Sequence, residues 1–337
     1  MTELQAVAQQ AGLQKFAGKQ LAEWLYVRRA TSFDEMTNIS RKGREALAAQ
    51  YTVGRHAPVA EAVSADGTKK YLFRVGEQYV ESVYIPDEDR ATLCVSTQAG
   101  CKMGCRFCMT GTLGFHGHLP AAEILNQILF FGDLTNIVYM GEGEPMDNIE
   151  QVLRSLDVMT ADWGCAWSPR RITVSSVGHP NLKRFLDESD CHVAISLHNP
   201  FAVERADIMP AERMYSVSKV VALLKQYDWT HQRRVSFEYI CWHGQNDTIR
   251  HANELLRLLR GLPCRINLIR FHAAPEGDKQ PAPFPPSDEK QMEWLRDYLS
   301  AKGITTTIRR SRGEDILAAC GMLVNALQQS DSAQTHC

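Results

Sequence analysis

Apolar positions along the chain follow two different rhythms. Over the first 54 residues they recur at helical spacing in LQAVAQQAGL, GKQLAEWLYVRRA and RKGREALAAQY, with a turn-rich SFDEMTNIS between the last two. This predicts a small helical accessory domain over residues 1–54. From Pro58 to Pro86 the period drops to two. KKYLFRV and QYVESVYI alternate apolar and polar side chains and meet at Gly76-Glu77, so residues 55–91 read as a β-hairpin extension.

From Thr92 onward short β-branched runs alternate with longer helical ones. TLCVST precedes AAEILNQILFF, NIVYM precedes IEQVLRSLDVM, RITVSS precedes NLKRFLD, and HVAISL precedes VSKVVALLKQY. VSFEYI with IRHANELLRLL, RINLIRF with EKQMEWLRDYLSA, and TTTIRR with EDILAACGMLVNAL continue the series. Such alternation predicts an α/β fold, a parallel sheet with helical crossovers. About six or seven units make an open, partial barrel with its active site at the C-terminal ends of the strands. The barrel is expected over residues 92–328, with a tail over 329–337. The proline-rich stretch 273–288, AAPEGDKQPAPFPPSD, reads as a long loop.

A chain of 337 residues, 44% hydrophobic and 23% charged, can bury a large core. Its 37 Lys and Arg against 39 Asp and Glu leave a formal charge of −2, so a nucleic-acid surface has to be local rather than global. No apolar run approaches the about 18 residues of a membrane span, and MTELQAVAQQAGLQ lacks a signal-peptide pattern, which points to the cytoplasm. Ten cysteines without an export signal read as reduced thiols, some with metal or catalytic use.

Three of those cysteines are grouped. Cys101, Cys105 and Cys108 lie in QAGCKMGCRFCMTG, directly after the first strand of the alternating series, and Gly100, Gly104 and Gly111 allow a tight loop. The three thiolates are expected to converge on one point. Structural zinc normally takes four protein ligands, and no second pair is present, so zinc is the weaker reading. A [4Fe-4S] cluster held by three cysteines keeps one iron open to a small molecule. Further candidates stand at strand ends: Gly143 and Glu144 in GEGEP, Ser175 in RITVSS, Ser196, Leu197 and His198 in HVAISLH, and Asn267 in RINLIR. Singly each is more often a turn former or a hydrogen-bonded strand residue; with the cysteine loop they suit a ligand site.

The C-x3-C-x2-C loop resembles that of the radical S-adenosylmethionine (SAM) superfamily, in which the open iron is chelated by the SAM amino and carboxylate groups. More narrowly, RATLCVSTQAGCKMGCRFCMTGTLGF, GEGEPMDN, SLHNP, PCRINLI and RRSRGEDILAACGML are similar to the RlmN and Cfr family of rRNA adenine methyltransferases. GKQLAEWLYVRRATSFDEMTNISRKGREAL likewise resembles that family's N-terminal module. The resemblance implies a partial (β/α)6 radical SAM barrel, a [4Fe-4S] cluster on Cys101, Cys105 and Cys108, and two SAM per turnover. It further implies that Cys320 carries a methyl group on sulfur and is then attacked by a SAM-derived radical. The resulting methylene radical adds to adenine to give a covalent protein–RNA adduct. Cys94 resolves the adduct by forming a disulfide with Cys320, and Glu81 is the general base. Carbon 2 of an adenosine in 23S rRNA is the implied target, with tRNA as a further substrate, a flavodoxin-like electron donor and a monomeric enzyme.

Several residues differ from the family's usual pattern. Glu142 replaces methionine in the GEP turn, Arg270 replaces a proline, Met146-Asp147 replaces an apolar pair and Met109 a small residue. An added Glu and Arg near the pocket are expected to bear on which substrate is recognised. Carbon-8 methylation and a paralogue with another RNA substrate stand as alternatives. A non-catalytic iron–sulfur RNA-binding protein is the rival of a different class, disfavoured by Cys94, Cys320 and Glu81. Arg309, Arg310 and Arg312, 8 to 11 residues before Cys320, either lower its pKa or bind phosphate. In the helical module Lys15, Lys19, Arg28, Arg29, Arg41, Lys42 and Arg44 are candidates for RNA contact.

Overall fold

The structure is a computed structural model that describes residues 1–230, 235–272, 284–319 and 321–323. Three helices open the chain: α1 (Thr2–Gln10), α2 (Ala17–Ala22), which runs on as a π-turn over Glu23–Val27, and α3 (Arg41–Ala48). Their apolar stripes bury Ala8, Leu21, Met36, Ile39 and Leu47 in a core of their own. Capping sets the turns between them. Glu35 accepts from the backbone N–H groups of Thr31 and Ser32, and the Ser40 hydroxyl accepts from Gly43 N at the start of α3.

A ten-stranded sheet forms the rest. β1 (Ala60–Val63), β2 (Lys69–Val75), β3 (Gln78–Asp87) and β4 (Arg90–Cys94) are antiparallel neighbours. A small ribbon of β5 (Gln98–Gly100) and β6 (Phe115–His118) then brackets the cysteine loop. Beyond it α4 (Ala121–Leu129) leads to β7 (Asn136–Tyr139), α5 (Ile149–Thr160) to β8 (Ile172–Ser176), and α6 (Leu182–Glu188) to β9 (His192–Ser196). Helices α7 (Ala202–Ile208) and α8 (Val217–Gln226) lead to β10 (Val235–Cys241), α9 (Ile249–Leu259) to β11 (Cys264–Arg270), and α10 (Glu289–Ala301) to β12 (Thr305–Ile308).

The sheet order is β1-β2-β3-β4-β7-β8-β9-β10-β11-β12, parallel from β4 onward. Crossovers through helices therefore link parallel strands as the alternation predicts. β12 is not paired with β4, so the barrel stays open on that side. Leu93, Ile137, Val174, Val193, Phe237 and Ile266 are fully buried between sheet and helices, each contributing about 1.5–3 kcal/mol. Among the described residues no helix is long and apolar enough to cross a membrane.

One predicted element differs over its described residues. EDILAACGMLVNAL was expected to continue as a helix, but Glu314–Ile316 make a single 3-10 turn and Leu317 adopts a left-handed φ of 53°. Tertiary contacts override the local pattern. Asp315 accepts from Ser64 Oγ (2.5 Å) and Ala65 N (3.1 Å), Gly313 N donates to Asp66 (3.0 Å), and Lys70 Nζ donates to Leu317 O (3.4 Å). The C-terminal segment is thereby strapped to the β1–β2 turn. Cys320 and the tail 329–337 lie outside the described residues.

Candidate active site

The cysteine loop is closed by glycine. Gly100 has φ +69°, and a Cβ there would lie 1.9 Å from Gly114 O, so the two ends of the loop approach this closely only without a side chain. Cys101, Cys105 and Cys108 then face one cavity of about 450 Å³. Burial pushes the Cys101 thiol up to about 12 and raises Cys105 and Cys108 as well. Such thiols stay protonated unless a cation arrives, which a metal centre supplies. Cys105 lies near enough to Cys108 and Cys101 for their charges to add to the rise of its pKa. Among the described residues no three His, Cys, Asp or Glu side chains group tightly enough to hold one metal ion. The thiols instead surround the cavity, an arrangement that suits a cluster whose irons each take one thiolate.

Glu144 lines the same cavity, near enough to Cys101 for its charge to act on that thiol. Its carboxylate accepts from Val177 N (2.9 Å) and Met146 N (3.1 Å), and its backbone N–H donates to Gln98 Oε1 (2.8 Å). Burial raises its pKa to about 7, so an incoming ammonium group would favour the charged form. Gly143, at φ +95°, has no room for a Cβ, which would meet the Gln98 side chain at 2.5 Å. Gln98 thus forces glycine there and leaves peptide backbone on the cavity wall. These features fit a SAM amino-acid moiety beside an iron–sulfur cluster.

Ser175, Ser196 and His198 line the same cavity. His198 has a left-handed φ of 54°, and its Nδ1 accepts from Ile240 N at 3.0 Å. Burial, then the charge of Arg205, lowers its pKa to about 3, so the imidazole is neutral. Phe107 of the cysteine loop packs edge-on against it at 4.8 Å. Arg205 on α7 is fully buried and donates to Leu197 O (2.9 Å), Ser196 O (2.8 Å) and Val177 O (2.6 Å), tying the ends of β8 and β9 together. Leu197 itself points into the core, off the cavity wall. Asn267 lies mid-strand in β11, on the same face as the cavity-lining Ile269, and donates to Glu238 Oε1 at 2.8 Å. Glu238, not Asn267, faces the cavity.

Cys94 ends β4, opposite Val83 of β3, and lines the cavity. The described neighbours of Cys320 reach the same place. Ala318, Ala319, Gly321 and Leu323 line the cavity, Gly321 O accepts from Met109 N (2.7 Å), and Leu323 O accepts from Thr110 Oγ1 (3.1 Å). Glu81 is buried on β3, two residues before the cavity-lining Val83 and on the same strand face, with its carboxylate 3.1 Å from Lys70 Nζ.

The expectation that Glu142 and Arg270 bear on recognition is not met by their positions. Glu142 is buried and accepts from Glu81 N (2.8 Å) and Gly100 N (3.2 Å), a brace between strands, while Arg270 pairs with Glu289 of α10. In the helical module Arg28 pairs with Glu23 and Arg41 with Glu45, and Arg29 and Arg44 donate to the carbonyls of Phe131 and Ile39. Lys15, Lys19 and Lys42 are exposed.

Sequence reasoning passed over Gln98, Arg205 and Glu238. A charged residue inside the apolar VSFEYI was the one available signal, since the roles of Gln98 and Arg205 arise from contacts distant in sequence.

Thiol loop, GEP turn and open parallel barrel together define a radical SAM enzyme, and residues 95–259 match the Radical SAM superfamily. Residues 1–53 match the ribosomal RNA large subunit methyltransferase N-terminal domain. The chain is 55% identical, over 98% of its length and 96% of the relative's, to a Bacteroides fragilis protein named probable dual-specificity RNA methyltransferase RlmN. It is 40% identical, over 92% of its length and 82% of the relative's, to the dual-specificity RNA methyltransferase RlmN of Rhodopseudomonas palustris. A crystal structure of a radical SAM methyltransferase from Sphaerobacter thermophilus superposes with TM-score 0.88 at 37% identity, covering 95% of this chain and 96% of the other. The chain belongs to the RlmN family of radical SAM RNA methyltransferases.

Proposed function

We propose that the protein methylates carbon 2 of an adenosine in 23S rRNA, with tRNA as a second substrate. The observation that supports this most is the shared cavity: Cys94, the thiol loop and the residues on both sides of Cys320 all line it. When bound, the cluster on Cys101, Cys105 and Cys108 supplies an electron for reductive cleavage of SAM to a carbon radical. Glu144 and the Gly143 backbone hold the SAM amino-acid end, and Ser175, Ser196 and neutral His198 contact the remainder.

An aromatic C–H carbon offers no lone pair to attack SAM directly, so the methyl group travels on Cys320. Its thiolate takes CH3 from one SAM, and loss of a hydrogen atom from that S-methyl group, driven by a second SAM, gives the carbon that bonds to adenine. Once the adduct has given up one electron, for which the bound cluster would be the acceptor, and the ring proton, the Cys94 thiolate attacks the Cys320 sulfur; the S–S bond forms as the carbon–sulfur bond breaks, and that electron pair leaves with the transferred carbon, which takes a proton to become the methyl group. Glu81, held by Lys70, takes the proton from the adenine carbon. The two-SAM stoichiometry, the flavodoxin-like donor, the cytoplasmic monomer and the domain limits at residues 54, 91 and 328 are part of the same reading.

Mass spectrometry of nucleosides tests it, using unmodified 23S rRNA and tRNA incubated with reconstituted protein, reductant and deuterated-methyl SAM. Labelled 2-methyladenosine is expected. Labelled 8-methyladenosine would move the target to the other carbon, and SAM cleavage with neither base labelled would mean another substrate. Absence of any SAM cleavage would favour the non-catalytic RNA-binding alternative.

A further inference from the structure

The barrel's open side is edged with arginines. Arg90 begins β4, Arg309 and Arg310 follow β12, and all three line the cavity where these two strands, each paired on its other side, do not pair with one another. Arg90 and Arg309 sit near enough to repel. Burial first, then the charge of Arg309, lowers the Arg90 pKa below its ordinary value. The fold answers part of this charge. Arg309 Nη1 lies 3.4 Å from Glu238, Arg90 Nε donates to Thr92 Oγ1 at 3.1 Å with Asp87 opposite it on β3, and Arg312, also on the cavity wall, pairs with Asp66 and donates to Pro86 O. Arg310 is exposed and has no hydrogen-bond or ion-pair partner among the described residues.

Gathering guanidinium groups at a cavity mouth is unfavourable unless an anion comes to meet them. The SAM carboxylate is one source of negative charge, but it belongs beside the thiol loop. Arg90 stands four residues before Cys94 on β4, roughly 13 Å along the strand from that end. A phosphodiester matches better, since the planar guanidinium fork binds two of its oxygens at once.

We propose that Arg310, with Arg90 and Arg309 beside it, forms a subsite for a phosphodiester of the substrate RNA, at the seam by which the target nucleotide enters the barrel. This rests on the RNA methyltransferase reading and adds the point where the backbone is gripped. Contact with phosphate positions RNA without reading its sequence, so the subsite sets affinity and register and leaves the choice of base to the cavity.

The test is binding and turnover of an unmodified 23S rRNA transcript by the reconstituted holoenzyme across a salt series. Arg310→Ala is expected to raise Kd and KM for RNA roughly tenfold and to reduce the slope of log K against log salt by about one. Arg310→Lys should recover most of the slope and less of the affinity, because a point charge replaces the fork. Arg296→Ala, on the exposed side of α10, should keep the parent slope. An unchanged RNA Kd and slope in Arg310→Ala would overturn the proposal, as would a raised KM confined to SAM. Should the parent enzyme cleave SAM yet bind no RNA, the RNA methyltransferase reading falls, and this subsite with it.

Discussion

Glu142 shows how one carboxyl group can serve three segments. It belongs to the turn after β7, yet accepts from Glu81 N on β3 and from Gly100 N at the start of the thiol loop. Burial raises its pKa to about 8 from an ordinary 4.5. The folded protein therefore holds a proton that the unfolded chain has released between those values, so this contribution is complete below about pH 4.5 and declines as pH rises through 8. Thermal melts of Glu142→Gln should show a flatter decline than the parent over that window, and equal slopes would remove Glu142 as its source. The resolving role proposed for Cys94 can be tested at the same scale: Cys94→Ala is expected to accumulate a covalent protein–RNA species visible as a retarded band, and clean turnover by that variant would take Cys94 out of the role. The cysteine loop and the GEP carboxylate were legible in sequence because metal and ammonium chemistry demand particular residue types at short spacing. Glu142 was visible only as a departure, since its partners are 42 and 61 residues away.

Among the elements, the strap of residues 312–317 departs most from local pattern. The apolar spacing from Glu314 onward suggests a helix, although a stretch this short holds little helical structure by itself. Docked on the β1–β2 turn, it exchanges helical hydrogen bonds for Ser64, Ala65, Asp66 and Lys70. Such an exchange cannot be read from periodicity, because the competing partners sit about 250 residues earlier. The strap fixes the chain immediately before the cavity-lining Ala318 and Ala319. Ser64→Ala removes the 2.5 Å bond to Asp315 and should lower stability by about 1 kcal/mol. It should also slow RNA methylation more than SAM cleavage, measured as methyladenosine formed per 5'-deoxyadenosine released. A constant ratio would show that the strap contributes stability alone.

At the level of the whole molecule, the helical module is fastened to the barrel by contacts the sequence does not advertise. Arg154 bonds both oxygens of Glu3, Tyr26 packs edge-on to Trp163, and Arg55 donates to Leu129 O at 2.7 Å and to Arg29 O at 3.5 Å. Arg55→Ala leaves carbonyls without their donor and should destabilise the joint by about 1–3 kcal/mol. Limited proteolysis would report it as faster cleavage between α3 and β1, and an unchanged rate would place the fastening elsewhere. The alternation of strand and helix was legible because buried parallel strands are short and β-branched while their crossovers are long and amphipathic. That the hairpin continues the barrel's sheet was not, because pairing of β3 with β4 depends on neighbours rather than on pattern.

The strap and the cavity contacts of Gly321 and Leu323 also impose an order on synthesis. Asp315 meets Ser64 across 251 positions, and Leu323 meets Thr110 across 213. A ribosome therefore delivers the thiol loop, the GEP turn and most of the sheet well before the residues that complete the cavity wall. A nascent chain can bury its core while still unable to close this site, and a product cut short before Gly313 would carry the cysteine loop but neither the strap nor Cys320. Competence for chemistry thus waits for residues 313–323, which emerge after the thiol loop and most of the sheet have had time to fold.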